Sequence, residues 1–195
     1  MAKNCGKTDD NELVINMSLE KSIELDSKVK AEASGNSIKL SGPKGETSRD
    51  FSSPSFDKKL KIAVDGSRVV VSSTEDSKKM KTMIGTITAH VKNMQTGVLN
   101  GYEYVLRVHY NHFPINVEVK GDKIYIKNFL GEKGARVTSI VKNSKVDVKK
   151  DEIVVTSHEK EAAGQTAANI EQTCKVTKRD RRIFQDGIFI VSKPK

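Results

Sequence analysis

The stretch from Phe129 to Arg136 (Phe-Leu-Gly-Glu-Lys-Gly-Ala-Arg) groups residue types suited to holding an anion. Gly131 and Gly134 tolerate backbone angles that side chains disfavour, so N–H groups can be turned outward there. Lys133 and Arg136 set positive charge beside them. A chain of phosphates fits that combination better than a small organic substrate does. A second basic run carries Lys175, Lys178, Arg179, Arg181 and Arg182 against the single acid Asp180. Rigid loops bearing Arg and Lys can follow a folded RNA backbone by shape while reading few bases.

Other chemistry has little support. The chain has no zinc-protease His pair, nucleophile elbow or dinucleotide glycine pattern. The Gly131–Gly134 spacing lacks the Gly-Lys-Ser/Thr that would make it a P-loop. It does match the four-residue glycine loop of KH domains, but that loop joins two helices and this one follows a strand pattern. His109 and His112 could face one metal from a strand end, yet no cysteine or acid close in sequence completes a ligand set. Cys174 reads as a small buried hydrophobe. No catalytic residue, metal or cofactor is expected, and no small-molecule substrate.

The elements that must position these loops follow from periodicity. Lys123 to Lys127 alternates as a strand leading into the glycine loop, and Tyr102 to Tyr110 alternates as a longer strand ending before Pro114. Ile23 and Leu25 suggest a short strand, residues 28–33 another, and residues 37–41 alternate cleanly. Residues 60–64 and 69–71 form a hairpin around Asp65 and Gly66. Met80, Met83, Ile84, Ile87, Val91 and Met94 make one helical stripe, with Gly97 as a stop. A second helix should start near Ser157, bury Ala163, Thr166, Ala167, Ile170 and Cys174, and carry Glu159 and Glu161 in its first turn. The turn at Asp186 and Gly187 leads to a last strand, Ile188 to Val191.

The chain builds this unit twice. Shifted by 86 residues, Ala31 to Leu40 lies over Val117 to Ile126 without a gap, with Gly35 on Gly121, Ile38 on Ile124 and Leu40 on Ile126. The same shift puts Gly45 and Glu46 on Gly131 and Glu132. The period is too long for a solenoid. The expected fold is therefore α+β, with two tandem duplicated domains, each an antiparallel sheet covered on one face by a helix. The expected division is an extension over residues 1–20, a first domain over 21–98 and a second over 99–195.

Charge agrees with the loops. The net charge is +9; residues 1–98 hold 16 basic and 13 acidic side chains, and residues 99–195 hold 18 and 12, so the excess sits in the second half. Such a surplus points towards a polyanion. No apolar run approaches the ~20 residues of a membrane span, the first residues lack the apolar core of a secretory signal, and two cysteines cannot build a disulfide framework. No membrane partner is expected, and a reducing, intracellular compartment is.

Several separate stretches resemble one family. His90 to Met94 with Gly97 and Val98, His112 to Val117, Asn128 to Lys133, Lys150 to Ile153, Ala167 to Ile170, and Asp180, Arg182 and Phe184 followed by Asp186 to Ile188 appear in order. Together with Lys39 to Gly45 they are similar to the L-six family of large-subunit ribosomal proteins in its archaeal and eukaryotic form, over roughly residues 20–192. The resemblance implies a cytoplasmic, non-catalytic constituent of the large subunit. It would bind rRNA near the sarcin–ricin loop and the base of the stalk, beside neighbouring ribosomal proteins, and support the translation-factor site. The second domain would make most RNA contacts, through Lys133, Gly134, Arg136, Lys175, Lys178, Arg179, Arg181 and Arg182. Gly131, Asp186 and Gly187 would shape the loops. The alternative is a free-standing RNA-binding regulator that uses the glycine loop.

Overall fold

The computed structural model describes residues 19–53 and 59–194. The extension expected over residues 1–20, Cys5 included, lies almost wholly outside them. In the first copy, strands β1 (Leu19–Glu24), β2 (Lys30–Ser34), β3 (Ser37–Gly42), β4 (Gly45–Asp50), β5 (Leu60–Asp65) and β6 (Arg68–Ser73) precede helix α1 (Lys78–Leu99). The second copy runs β7 (Tyr102–His109), β8 (Asn116–Lys120), β9 (Lys123–Lys127), β10 (Arg136–Ser139), β11 (Ser144–Val148), β12 (Glu152–Ser157), helix α2 (Lys160–Thr173) and β13 (Gly187–Ser192).

The α+β tandem duplication is as expected, and among the described residues the antiparallel strands of each copy divide into two small sheets. The orders are β1-β6-β5 and β2-β3-β4 in the first copy, and β11-β12-β7-β13 and β10-β9-β8 in the second. Each helix packs against strands of both sheets in its copy, so a single core forms between three surfaces. In the first copy Ile38 and Leu40 of one sheet and Val69 and Val71 of the other close on Met80, Ile84, Ile87 and Val91. In the second, Ile124 and Ile126 with Leu106, Ile153 and Val155 close on Ala163, Ala167 and Ile170. Alternation with a period of two and a stripe with a period of 3.6 therefore point at the same interior. Met83 is only partly buried, whereas Ala162 joins the α2 face unexpectedly.

The duplication extends to backbone conformation. The β2–β3 hairpin turns through Gly35 at φ +62° and the β8–β9 hairpin through Gly121 at φ +58°, the left-handed values that glycine reaches without strain. It fails where Gly45 was to overlie Gly131. Residues 43–44 suffice to join β3 to β4, but residues 128–135 separate β9 from β10. Likewise α1 passes to β7 through residues 100–101, while residues 174–186 lie between α2 and β13, a strand with no counterpart among the described residues of the first copy. Gly97 does not end α1, which continues to Leu99. Among the described residues no helix is long and apolar enough to cross a membrane.

Candidate nucleic-acid interface

The two basic segments are thus the parts of the second copy that the first does not repeat. A third segment, residues 110–115 between β7 and β8, ties them together. The glycine loop opens with Asn128 at φ +60°, Leu130 at φ +50° and Gly131 at φ +75°. Phe129 and Leu130 are buried and anchor it, and the Glu132 N–H donates to the Phe129 carbonyl at 3.0 Å. A Cβ on Gly131 would stand 3.4 Å from the Phe113 ring, an ordinary contact, so it is the positive φ that favours glycine here. Gly134 has neither a positive φ nor a close neighbour, contrary to the conformational role expected for it. Lys133, Gly134 and Ala135 are left exposed at the tip.

Arg136 points inward. Its Nε donates to Glu132 Oε2 at 2.9 Å and Nη2 to Glu132 Oε1 at 2.6 Å. Its Nη1 donates to the Thr173 carbonyl at 2.8 Å and the Lys175 carbonyl at 3.1 Å. The guanidinium carbon also lies 4.3 Å from the Phe129 ring centroid. One cation therefore closes the glycine loop, caps the C-terminal end of α2 and complements its helix dipole. The Arg136 hydrogen bond holds the Glu132 carboxyl below the usual carboxylate range.

The second basic segment starts from Cys174, which is buried and whose thiol is pushed up to about 12 by that burial. Lys178 sits at φ +59°. The Asp180 side chain accepts from the Arg182 N–H at 2.9 Å, and its carbonyl from the Phe184 N–H at 2.9 Å, which rounds the chain into a compact turn. The Phe184 ring takes the Arg179 guanidinium at 4.9 Å and the His112 imidazole, stacked, at 4.8 Å. Lys133, Lys175, Lys178, Arg181 and Arg182 are exposed and form no ion pair among the described residues.

Asp186 joins this segment to residues 110–115. It is 1% exposed and accepts hydrogen bonds from the Asn111 backbone N–H and, at 3.0 Å, from His112 Nδ1. A carboxylate can only accept, so Nδ1 carries the proton. Burial by itself raises the Asp186 pKa, but the Asn111 and His112 contacts outweigh it and hold the carboxyl below its ordinary value. Asn128 completes the circuit by donating its Nδ2 to the Pro114 carbonyl at 3.0 Å. Gly187 is not a turn residue, since it already pairs with His109 in β13. His112 is held by Asp186 and Phe184, whereas His109 lines a cleft of about 590 Å³ with Val176, Phe184 and Ile188. No group of three or more metal-ligating side chains forms among the described residues. Sequence reasoning gave no supporting role to Asn111, Phe113, Asn128 and Phe184, the residues that fasten the three segments to one another.

The arrangement offers a set of exposed cations with buried supports, and two of the cations, Lys175 and Arg181, stand on the rim of that cleft. A family model described as Ribosomal protein L6 matches the chain twice, over residues 27–101 and 113–187. Curated relatives named large ribosomal subunit protein uL6 match nearly the whole length. That of Methanocella arvoryzae is 48% identical over 172 residues, 88% of this chain and 95% of its own. That of Saccharolobus solfataricus is 44% identical over 175 residues, 90% and 95%. That of Methanobrevibacter smithii is 41% identical over 181 residues, 93% and 99%.

Proposed function

The chain belongs to the ribosomal protein L6 family, and from that premise we propose that it braces rRNA near the sarcin–ricin loop and the stalk base, supporting the translation-factor site. It is a structural, non-enzymatic constituent of the large ribosomal subunit, in the cytoplasm, where it binds rRNA and neighbouring ribosomal proteins. The observation that carries the finer reading is the convergence of residues 110–115, 128–136 and 174–187 at one end of the second copy. Lys133, Gly134, Lys175, Lys178, Arg179, Arg181 and Arg182 are the residues assigned to the phosphate backbone. Arg136 is assigned a positioning role, because four of its N–H donors are already engaged within the protein. Gly131 and Asp186 hold the loops that display the cations.

Sedimentation of the tagged protein from lysate, before and after a high-salt wash, tests this. Binding through ~6–10 phosphate contacts alone loses orders of magnitude in affinity as salt rises. Protein locked in by shape and neighbours should stay with the large subunits after the wash. Release into light fractions would favour the free-standing regulator. Neutralising Lys178, Arg179, Arg181 and Arg182 together should weaken incorporation into subunits, and unchanged, salt-resistant incorporation would remove them from the interface.

A further inference from the structure

The loop between β7 and β8 has so far served only as a fastener, yet it carries a large apolar surface outward. Ile115 is buried and His112 is stacked on Phe184, but Phe113 between them is 46% exposed. An exposed phenylalanine is ordinary by itself. Its placement is not. One part of the ring lies against Gly131, within ordinary contact distance of where a Cβ would stand. Gly131 stands two residues before Lys133 at the exposed tip of the glycine loop. The preceding residue, His112, contacts Asp186 and Phe184, and Phe184 carries Arg179. The following residue, Pro114, accepts from Asn128. Phe113 is therefore a ring supported from beneath, immobilised on both sides along the chain, and set between the two basic segments.

The geometry points to Phe113 as a stacking platform for an unpaired rRNA base, flanked by the cations that hold the phosphates on either side of that base. This rests on the rRNA reading above. A base has an apolar face and an anionic backbone on both sides, which matches a fixed aromatic ring between cations. A protein neighbour would match the ring but not the two flanking basic runs. The rigidity of the seat matters as well, because a preformed platform loses little conformational freedom on binding.

The two contributions separate by salt dependence. Phosphate contacts release counterions and set the slope of log K against log salt, at ~0.7–0.9 per contact; stacking changes affinity without changing that slope. Full-length protein is titrated with deproteinised large-subunit rRNA at several salt concentrations. F113L should bind about 5- to 150-fold more weakly with the slope unchanged, the range for loss of one base–aromatic stack. F113Y, which keeps the ring, should bind like the parent. Neutralising Lys178, Arg179, Arg181 and Arg182 should reduce the slope. If F113L binds like the parent while the neutralised variant is defective, the stacking role is overturned and the rRNA reading stands. If neither variant changes binding, both the stacking role and the assignment of these four cations to the interface fail. Normal rRNA binding by F113L with poor assembly into subunits would assign Phe113 to a protein neighbour and overturn the proposal, as would weak binding by F113Y. Should F113L lower the melting temperature, ultraviolet cross-linking of the parent to the same rRNA decides: an adduct on the Phe113 peptide supports stacking and its absence overturns it.

Discussion

Arg136 and Glu132 form a two-point guanidinium–carboxylate pair, at 2.9 and 2.6 Å, whose remaining bonds end helix α2. The pair lies at the junction of the glycine loop and the basic segment, with the Arg136 side chain 23% exposed. Glu132 is 43% exposed, so solvent replaces part of the ion pair, and the half-buried bond to the Thr173 carbonyl carries much of the loss. R136Q is expected to lower unfolding free energy by about 1.5–3 kcal/mol, the range for hydrogen bonds to charged groups. R136K should recover only a minor part, because an ammonium cannot reproduce the planar fork. Urea midpoints with unchanged m-values would measure this. A midpoint for R136Q equal to the parent's would show that the pair is incidental.

Asp186 provides a pH-dependent link between residues 110–115 and the last strand. Its carboxyl lies below the ordinary value of 3.8 in the folded chain. Folding thus favours the deprotonated form. That stabilisation is complete above the unfolded value and is lost as pH falls through the lower, folded value. As pH falls below about 5 the parent should lose stability more steeply than D186N, which has no carboxylate to protonate. At neutral pH, D186N should be less stable by about 1–3 kcal/mol, since an amide meets the His112 N–H poorly. Parallel stability–pH curves for the two proteins would remove the carboxylate from this role.

Much of this fold is legible in the sequence because its cores obey local periodicities. Ile38 and Leu40, and again Ile124 and Ile126, alternate inward from strands, and Ile84, Ile87 and Val91 repeat at helical spacing. The basic residues of the site are equally visible as composition. Their supports are not. Asn111 and Asp186 meet across 75 residues and Arg136 reaches the Lys175 carbonyl across 39, and neither contact leaves a periodic trace. The same limit explains why Arg136 reads as an outward cation although it turns inward. It also explains why the division of each copy's strands between two sheets is not legible. Alternation specifies which face of a strand is buried but not which strand lies next to it.

Cys174 gives a chemical reading of the same junction. Burial beneath Arg136 and the start of the basic segment pushes its thiol up to about 12. Only the thiolate reacts with alkylating reagents, so a buried, protonated thiol is inert. In native protein near neutral pH, iodoacetamide should leave the Cys174 peptide unmodified, and urea should make it fully reactive. Peptide mass spectrometry reads this site separately from Cys5. Rapid native labelling of Cys174 would mean that the end of α2 opens readily.

Gly85 and Gly97 both lie in α1 and should respond in opposite directions to the same substitution. Alanine is favoured over glycine in a helix interior by about 0.8–1.0 kcal/mol. A Cβ on Gly85 would enter open space, so G85A is expected to raise stability by about that amount. At Gly97 a Cβ would stand 2.0 Å from the His158 carbonyl oxygen and 3.0 Å from the Tyr102 ring, where α1 meets the second copy. The first of these is rigid backbone, and relieving the overlap requires the two copies to shift. Overpacking costs about 1–3 kcal/mol and outweighs the helix propensity gained. G97A should therefore melt below the parent and G85A above it, measured by thermal unfolding under one set of conditions. Stabilisation by both substitutions would show that the close approach of α1 to His158 is absent in solution.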